Sequence, residues 1–80
     1  MIPITSSKTL GKVLKQRRRE LSLTQTEAGS KLNIPQKTIS GIESGKAAVR
    51  ITTVFKYMSA LGLEMELNPR GEETDKQALW

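Results

Sequence analysis

The 80-residue sequence contains no cysteine and no histidine. Disulfides, thiol nucleophiles, imidazole bases and zinc sites of the usual ligand types are therefore excluded. Aromatic residues number three, namely Phe55, Tyr57 and Trp80. That is too few for a platform that stacks single-stranded bases. No apolar run approaches the length of a membrane span. The start, Met1 to Ser7, lacks a basic segment followed by an apolar stretch, so no secretory signal is expected. Glycine-rich phosphate loops and metal-ligand clusters are missing. Glu20, Glu27 and Glu43 are spaced as caps and surface residues rather than as a catalytic pair. We therefore expect a cytoplasmic, single-domain binding protein, not an enzyme, with no cofactor, no metal and no membrane partner.

What is present is positive charge, unevenly placed. Thirteen Lys and Arg face eight Asp and Glu, for a net charge of +5. Ten of the bases and only three of the acids lie between Lys8 and Arg50. From Ile51 onward three bases meet five acids. A basic body with an acidic end fits a domain that binds a polyanion and carries a separate C-terminal function. A merely solvated lysine-rich surface would show the same composition.

Hydrophobic spacing divides the chain into elements. Leu10, Val13, Leu14 and Leu21 share one helical face, which predicts a helix over 8–21 with Ser6 or Ser7 as cap. Thr24-Gln25-Thr26-Glu27 has capping-box spacing and opens a short helix over 25–32. Asn33-Ile34-Pro35 stops it, because proline disfavours helical geometry in the residue before it and suits the first turn of a new helix. A third helix over 35–43 turns Ile39 and Ile42 inward and closes at Gly45, a left-handed cap. Ile51, Val54, Phe55, Met58 and Leu61 form an apolar stripe on a fourth helix, 52–61, capped by Thr52 or Thr53. We read that stripe as core. Leu63-Glu64-Met65-Glu66-Leu67 alternates as a short strand does. Glu72 to Gln77 is polar, acidic and aperiodic, the pattern of a flexible tail.

Two short helices across a tight turn make a helix-turn-helix. The close crossing needs a small inward residue, which Gly29 supplies. The turn needs a residue that tolerates positive φ, which Asn33 supplies. Gln36, Lys37, Thr38 and Ser40 give the outer face of the second helix short donors and acceptors for base edges.

Leu23-Thr24-Gln25-Thr26-Glu27 followed by Thr38-Ile39-Ser40-Gly41-Ile42-Glu43-Ser44-Gly45 resembles the lambda-repressor/Cro-like, xenobiotic-response-element type family over about Leu10 to Leu61. Two positions depart from that pattern: Ala28-Gly29 replaces the usual Leu-Ala, and Asn33 replaces the usual turn glycine. The resemblance implies an all-α, four-to-five-helix domain. It also implies that Gln25 lies at a helix N-terminus aimed at a phosphate and is braced against Gln36. Gln36 would read adenine bidentately, and Lys37 would reach guanine or phosphate. Thr38 and Ser40 would touch phosphate or a thymine methyl, while Lys46 and Arg17 or Arg18 would grip the backbone.

A lone strand needs a partner. Pairing of Leu63, Met65 and Leu67 with a second subunit would supply one, in a homodimer whose recognition helices sit roughly 34 Å apart on a palindromic double-stranded operator. Pairing with Ile2–Ile4 of the same chain, or extension of the fourth helix, are the competing readings. The order of elements after the helix-turn-helix, Thr52 to Leu67 and then Trp80, is similar to HipB-type antitoxins. That similarity implies a repressor that also neutralises a HipA-type Ser/Thr kinase toxin and represses its own operon, with Leu79 and Trp80 docking on the toxin. A phage- or plasmid-type repressor without a toxin is the nearest alternative, and a protein-interaction adaptor is the alternative of another class. The domain plan is an arm over 1–7, the DNA-binding domain over 8–62, a dimerisation strand over 63–68 and an acidic tail over 69–80.

Overall fold

A computed structural model of the chain describes residues 3–46 and 48–70. The expected roles of Leu79 and Trp80, and of Ile2 as a strand partner, lie outside the described residues. Four helices follow in order: α1 Ser7–Glu20, α2 Gln25–Ser30, α3 Gln36–Glu43 and α4 Ile51–Ala60. Each start has a local cause or lacks one visibly. The Ser6 hydroxyl accepts from the Thr9 N–H at the head of α1. At α2 the complete capping box forms, with Thr24 and Glu27 each satisfying the other's backbone N–H. The residue before α4 is Arg50, without a side-chain cap, so neither Thr52 nor Thr53 plays the capping role expected of it.

The helix ends share one device. The described residues with positive φ are Ser22, Asn33, Gly45 and Gly62. Each lies just past a helix, and the residue after each returns its N–H to a carbonyl five residues back: Leu23 to Arg18, Ile34 to Gly29, Lys46 to Gly41 and Leu63 to Met58. This six-to-one closure defines the Schellman motif, and it satisfies carbonyls that the helix leaves open. It also explains why Leu21, expected on the buried face of α1, is exposed. The helix has ended at Glu20, so Leu21 no longer follows its phase.

The core comprises Leu14, Ala28, Ile34, Ile39, Ile42, Tyr57, Met58 and Leu61, with Leu10, Leu23, Val49, Val54 and Leu63 packed against it. Gly29 is small for the expected reason. A Cβ there would stand 2.3 Å from the Ile34 carbonyl oxygen and 2.5 Å from Ile39 Cδ1. Helix α1 comes as close to the end of α3 at Gly11, where a Cβ would lie 2.5 Å from the Glu43 carbonyl oxygen.

The stripe on α4 is only partly core. Val54, Tyr57, Met58 and Leu61 point inward, whereas Ile51 and Phe55 are 64% and 45% exposed. Two apolar ladders overlap on this helix, and the one containing Tyr57 meets the core. Nor is there a strand among the described residues. A strand exists by its ladder, and residues 63–67 find none within the described part of the single chain. The Gly62 turn also ends α4 firmly, so extension of that helix is excluded.

Serine in the left-handed region costs roughly 1–2 kcal/mol that glycine does not pay, partly offset by glycine's looser unfolded state. Replacing Ser22 with glycine should therefore stabilise the domain by about 0.5–1 kcal/mol. Thermal and urea unfolding measure this directly; a loss of stability would mean that the Ser22 side chain has a role of its own.

Candidate nucleic-acid interface

The polar residues that link the helices converge on one carboxylate. Arg18 of α1 donates to Glu43 of α3 through Nε to Oε2 at 2.7 Å and through Nη2 to Oε1 at 3.0 Å. Its Nη1 donates to the Leu23 carbonyl at 2.8 Å. The Tyr57 hydroxyl of α4 donates to Glu43 Oε2 at 2.5 Å. Gln25 at the head of α2 donates from Nε2 to Glu43 Oε1 at 3.1 Å. Gln36, the first residue of α3, donates from Nε2 to Gln25 Oε1 at 3.3 Å. The brace between Gln25 and Gln36 is thus present, and it continues into the core.

This arrangement revises two expectations. Glu43 is not a surface residue, being 7% exposed. Arg18 is 9% exposed and its guanidinium is taken up by Glu43 and Leu23, so it is removed from the set that grips a phosphate backbone. Arg17 is half-buried, and its Nε donates to the Leu61 carbonyl at 2.9 Å, which places a cation at the C-terminal end of α4. Neither role is written in local sequence. The only hint was a Tyr in an otherwise apolar ladder, whose hydroxyl needs a buried partner.

Gln36, Lys37, Ser40 and Lys46 are exposed, and Thr38 and Gln25 are half-buried. Lys46 Cδ lies 4.0 Å from where a Cβ on Gly41 would stand, so its side chain reaches back along α3. A Cβ on Gly45 would lie 2.7 Å from Lys8 Cα, so the end of α3 adjoins the start of α1. Met65 and Leu67 are exposed at 43% and 86%, and Leu63 is half-buried against the core. Among the described residues no group of three or more His, Cys, Asp or Glu is placed to hold a metal. No described helix is long and apolar enough to cross a membrane.

The electrostatics follow from this geometry. Burial works to raise the Glu43 pKa, but hydrogen bonds from Arg18, Tyr57 and Gln25 and the charge of Arg18 outweigh it and hold the carboxyl below its ordinary range. The Tyr57 phenol is pushed up by burial and by Glu43. The Arg18 guanidinium is held in its charged form by the hydrogen bond to Glu43, against the cost of burial. Glu27 is lowered by the backbone and side chain of Thr24 in the capping box.

The comparisons with known proteins agree with this frame. The family model described as helix-turn-helix matches residues 14–68. Antitoxin HipB of Escherichia coli (strain K12) is 35% identical over 80 residues, covering 95% of this chain and 91% of its own. Putative antitoxin HigA2 of Mycobacterium tuberculosis (strain ATCC 25618 / H37Rv) is 38% identical over 63 residues, covering 76% of this chain and 62% of its own. A chain solved in a HipA-HipB-O2-O3 complex superposes with a TM-score of 0.83 at 32% identity, covering 89% of this chain and 100% of that one. A chain of a HipB-O4 20mer complex gives the same TM-score, identity and coverage.

A carboxylate whose folded pKa is lowered stabilises the fold above its unfolded pKa, about 4.3, and loses that contribution as pH falls through the folded value. Stability should therefore decline below about pH 4.3, with Glu43 and Glu27 acting in the same direction. Glu43→Gln leaves the buried Arg18 charge uncompensated, which should cost about 3–5 kcal/mol at pH 7 and flatten the acid limb. Urea unfolding at pH 7 and pH 3 tests both points. Equal acid sensitivity in the variant would assign the loss to other carboxylates.

Proposed function

Since the chain belongs to the helix-turn-helix family and, within it, to the HipB antitoxins, we propose that it is a sequence-specific double-stranded DNA-binding repressor that serves as the antitoxin of a HipA-type Ser/Thr kinase module and represses its own operon. The observation that carries this reading is the exposed Gln36 at the head of α3, held by Gln25 in a helix-turn-helix frame. That frame superposes on HipB chains solved with HipA and with a 20-mer. Gln36 reads base edges, with Lys37, Thr38 and Ser40 beside it. Gln25 and Lys46 hold the backbone. Arg17, tied to the end of α4, contributes less, and Arg18 contributes nothing directly. The protein acts in the cytoplasm, on the nucleoid, and is not a catalyst.

Its partners are a palindromic operator, a second copy of the chain and the kinase. Supporting the homodimer are apolar side chains that one chain leaves uncovered: Ile51 and Phe55 on α4, and Met65 and Leu67 beyond it. No other described segment pairs with residues 63–67, and a second copy of the chain would supply the missing ladder. Docking of Leu79 and Trp80 on the kinase rests on sequence alone.

Duplexes selected from a randomised pool supply the operator for a first test. Gln36→Ala should weaken binding to the selected site by about 1–3 kcal/mol and barely change binding to random duplex. Affinity should fall steeply with salt, with a log–log slope of about 0.9 per phosphate neutralised. A flat salt response would favour a protein-interaction adaptor. Light scattering at micromolar concentration should report a dimer, and Phe55→Glu should shift it toward monomer; a wild-type monomer would remove the dimer from the proposal. Capture of a kinase from nuclease-treated lysate separates the antitoxin from a repressor without a toxin.

A further inference from the structure

We propose that Glu43 is a positioning residue for base readout: its buried carboxylate dictates which way the Gln25 amide points, and through it which groups Gln36 offers outward. The proposal rests on the DNA-reading role of Gln36 above and goes beyond the brace between the two glutamines.

A carboxylate only accepts hydrogen bonds. Arg18 holds the Glu43 carboxylate bidentately and Tyr57 donates to it as well, so it cannot rotate to offer anything else. Gln25 must therefore turn its Nε2 toward Glu43 Oε1. Its own Oε1 then points away from the core, and that oxygen also only accepts. Gln36 must answer with Nε2. If the Gln36 amide were reversed, two carbonyl oxygens would face each other with no proton between them. Polarity is thus handed from the core to the surface in two forced steps.

The outcome is specific. One Gln36 N–H is used on Gln25, leaving one N–H and the Oε1 for a ligand. A single donor beside a single acceptor fits adenine, which presents N7 and the N6 amine in the major groove. Guanine presents two acceptors, N7 and O6, and would need two donors there. The relay therefore favours adenine over guanine at the base that Gln36 meets.

Three variants test this while leaving Arg18, Glu43 and Tyr57 themselves in place. Selection profiles of wild type and Gln36→Ala locate the base pair that Gln36 reads. Gln25→Leu removes the relay while keeping an apolar stem at a half-buried site. It should reduce the adenine-over-guanine preference at that base pair by about tenfold. Gln25→Lys keeps a donor toward Glu43 but offers Gln36 only donors. The Gln36 oxygen should turn to it, freeing both N–H groups and moving the preference toward guanine. Loss of a phosphate contact by Gln25 would weaken all duplexes alike, so the ratio between bases isolates the relay. An unchanged ratio in both Gln25 variants overturns the proposal.

Side-chain amide NMR of the DNA-free protein gives a separate reading. The Gln36 amide should be motionally restricted, with cross-relaxation to Gln25, and should become mobile in Gln25→Leu. A mobile Gln36 amide in wild type overturns the relay. A restricted one, combined with a Gln36→Ala profile identical to wild type, supports the relay as geometry and overturns only the DNA-reading role on which its purpose depends.

Discussion

The four helices meet at the carboxylate of Glu43. It projects from α3 and receives Arg18 of α1, Gln25 of α2 and Tyr57 of α4. An apolar core as small as this one specifies relative helix orientation weakly, since hydrophobic contact has no direction. Hydrogen bonds to a fixed, buried charge do have direction. The cluster is also asymmetric in its consequences: with every donor in place it is satisfied, and with either Arg18 or Glu43 removed the other is left as a buried charge in a low dielectric without compensation. That asymmetry ties the orientation of α3 to the integrity of the whole domain.

Around this point the packing is tight where backbones cross. Gly11 and Gly29 admit neighbouring carbonyl oxygens at distances that a Cβ would occupy. The first brings α1 onto the end of α3, and the second brings α2 onto its start. The recognition helix is therefore gripped at both ends by backbone contact and in the middle by Ile39 and Ile42. A reading helix held this way presents its outer residues on a rigid support, which reduces the ordering cost of meeting a ligand.

Much of this was legible in the sequence because the relevant physics is local. Thr24 and Glu27 announce their capping box by spacing alone. Asn33 and Gly45 mark left-handed turns by residue type, and Ile39 and Ile42 mark the buried side of α3 by period. Ser22 was not legible, since serine carries no signal for positive φ. The Arg18–Glu43–Tyr57 cluster was not legible either. It joins residues 25 and 14 positions apart, and periodicity within one helix says nothing about partners on another. On α4 the stripe Ile51, Val54, Phe55, Met58 and Leu61 read as core, whereas the helix buries Tyr57 against Glu43 and leaves Ile51 and Phe55 exposed. The alternation of Leu63 to Leu67 is a strand pattern that meets no ladder among the described residues.

The uniform closure of the helices has a kinetic side. Each of the four ends reverses through hydrogen bonds that span five residues, so the chain can fix its turns before it knows its tertiary partners. Connections between successive helices are short, and the side-chain hydrogen bond from Arg17 to the Leu61 carbonyl reaches across 44 positions. Chains dominated by local contacts fold in about microseconds to milliseconds. The same economy keeps the search for the native topology short, and leaves the meeting of α1 with α4 as a contact that must close a large loop.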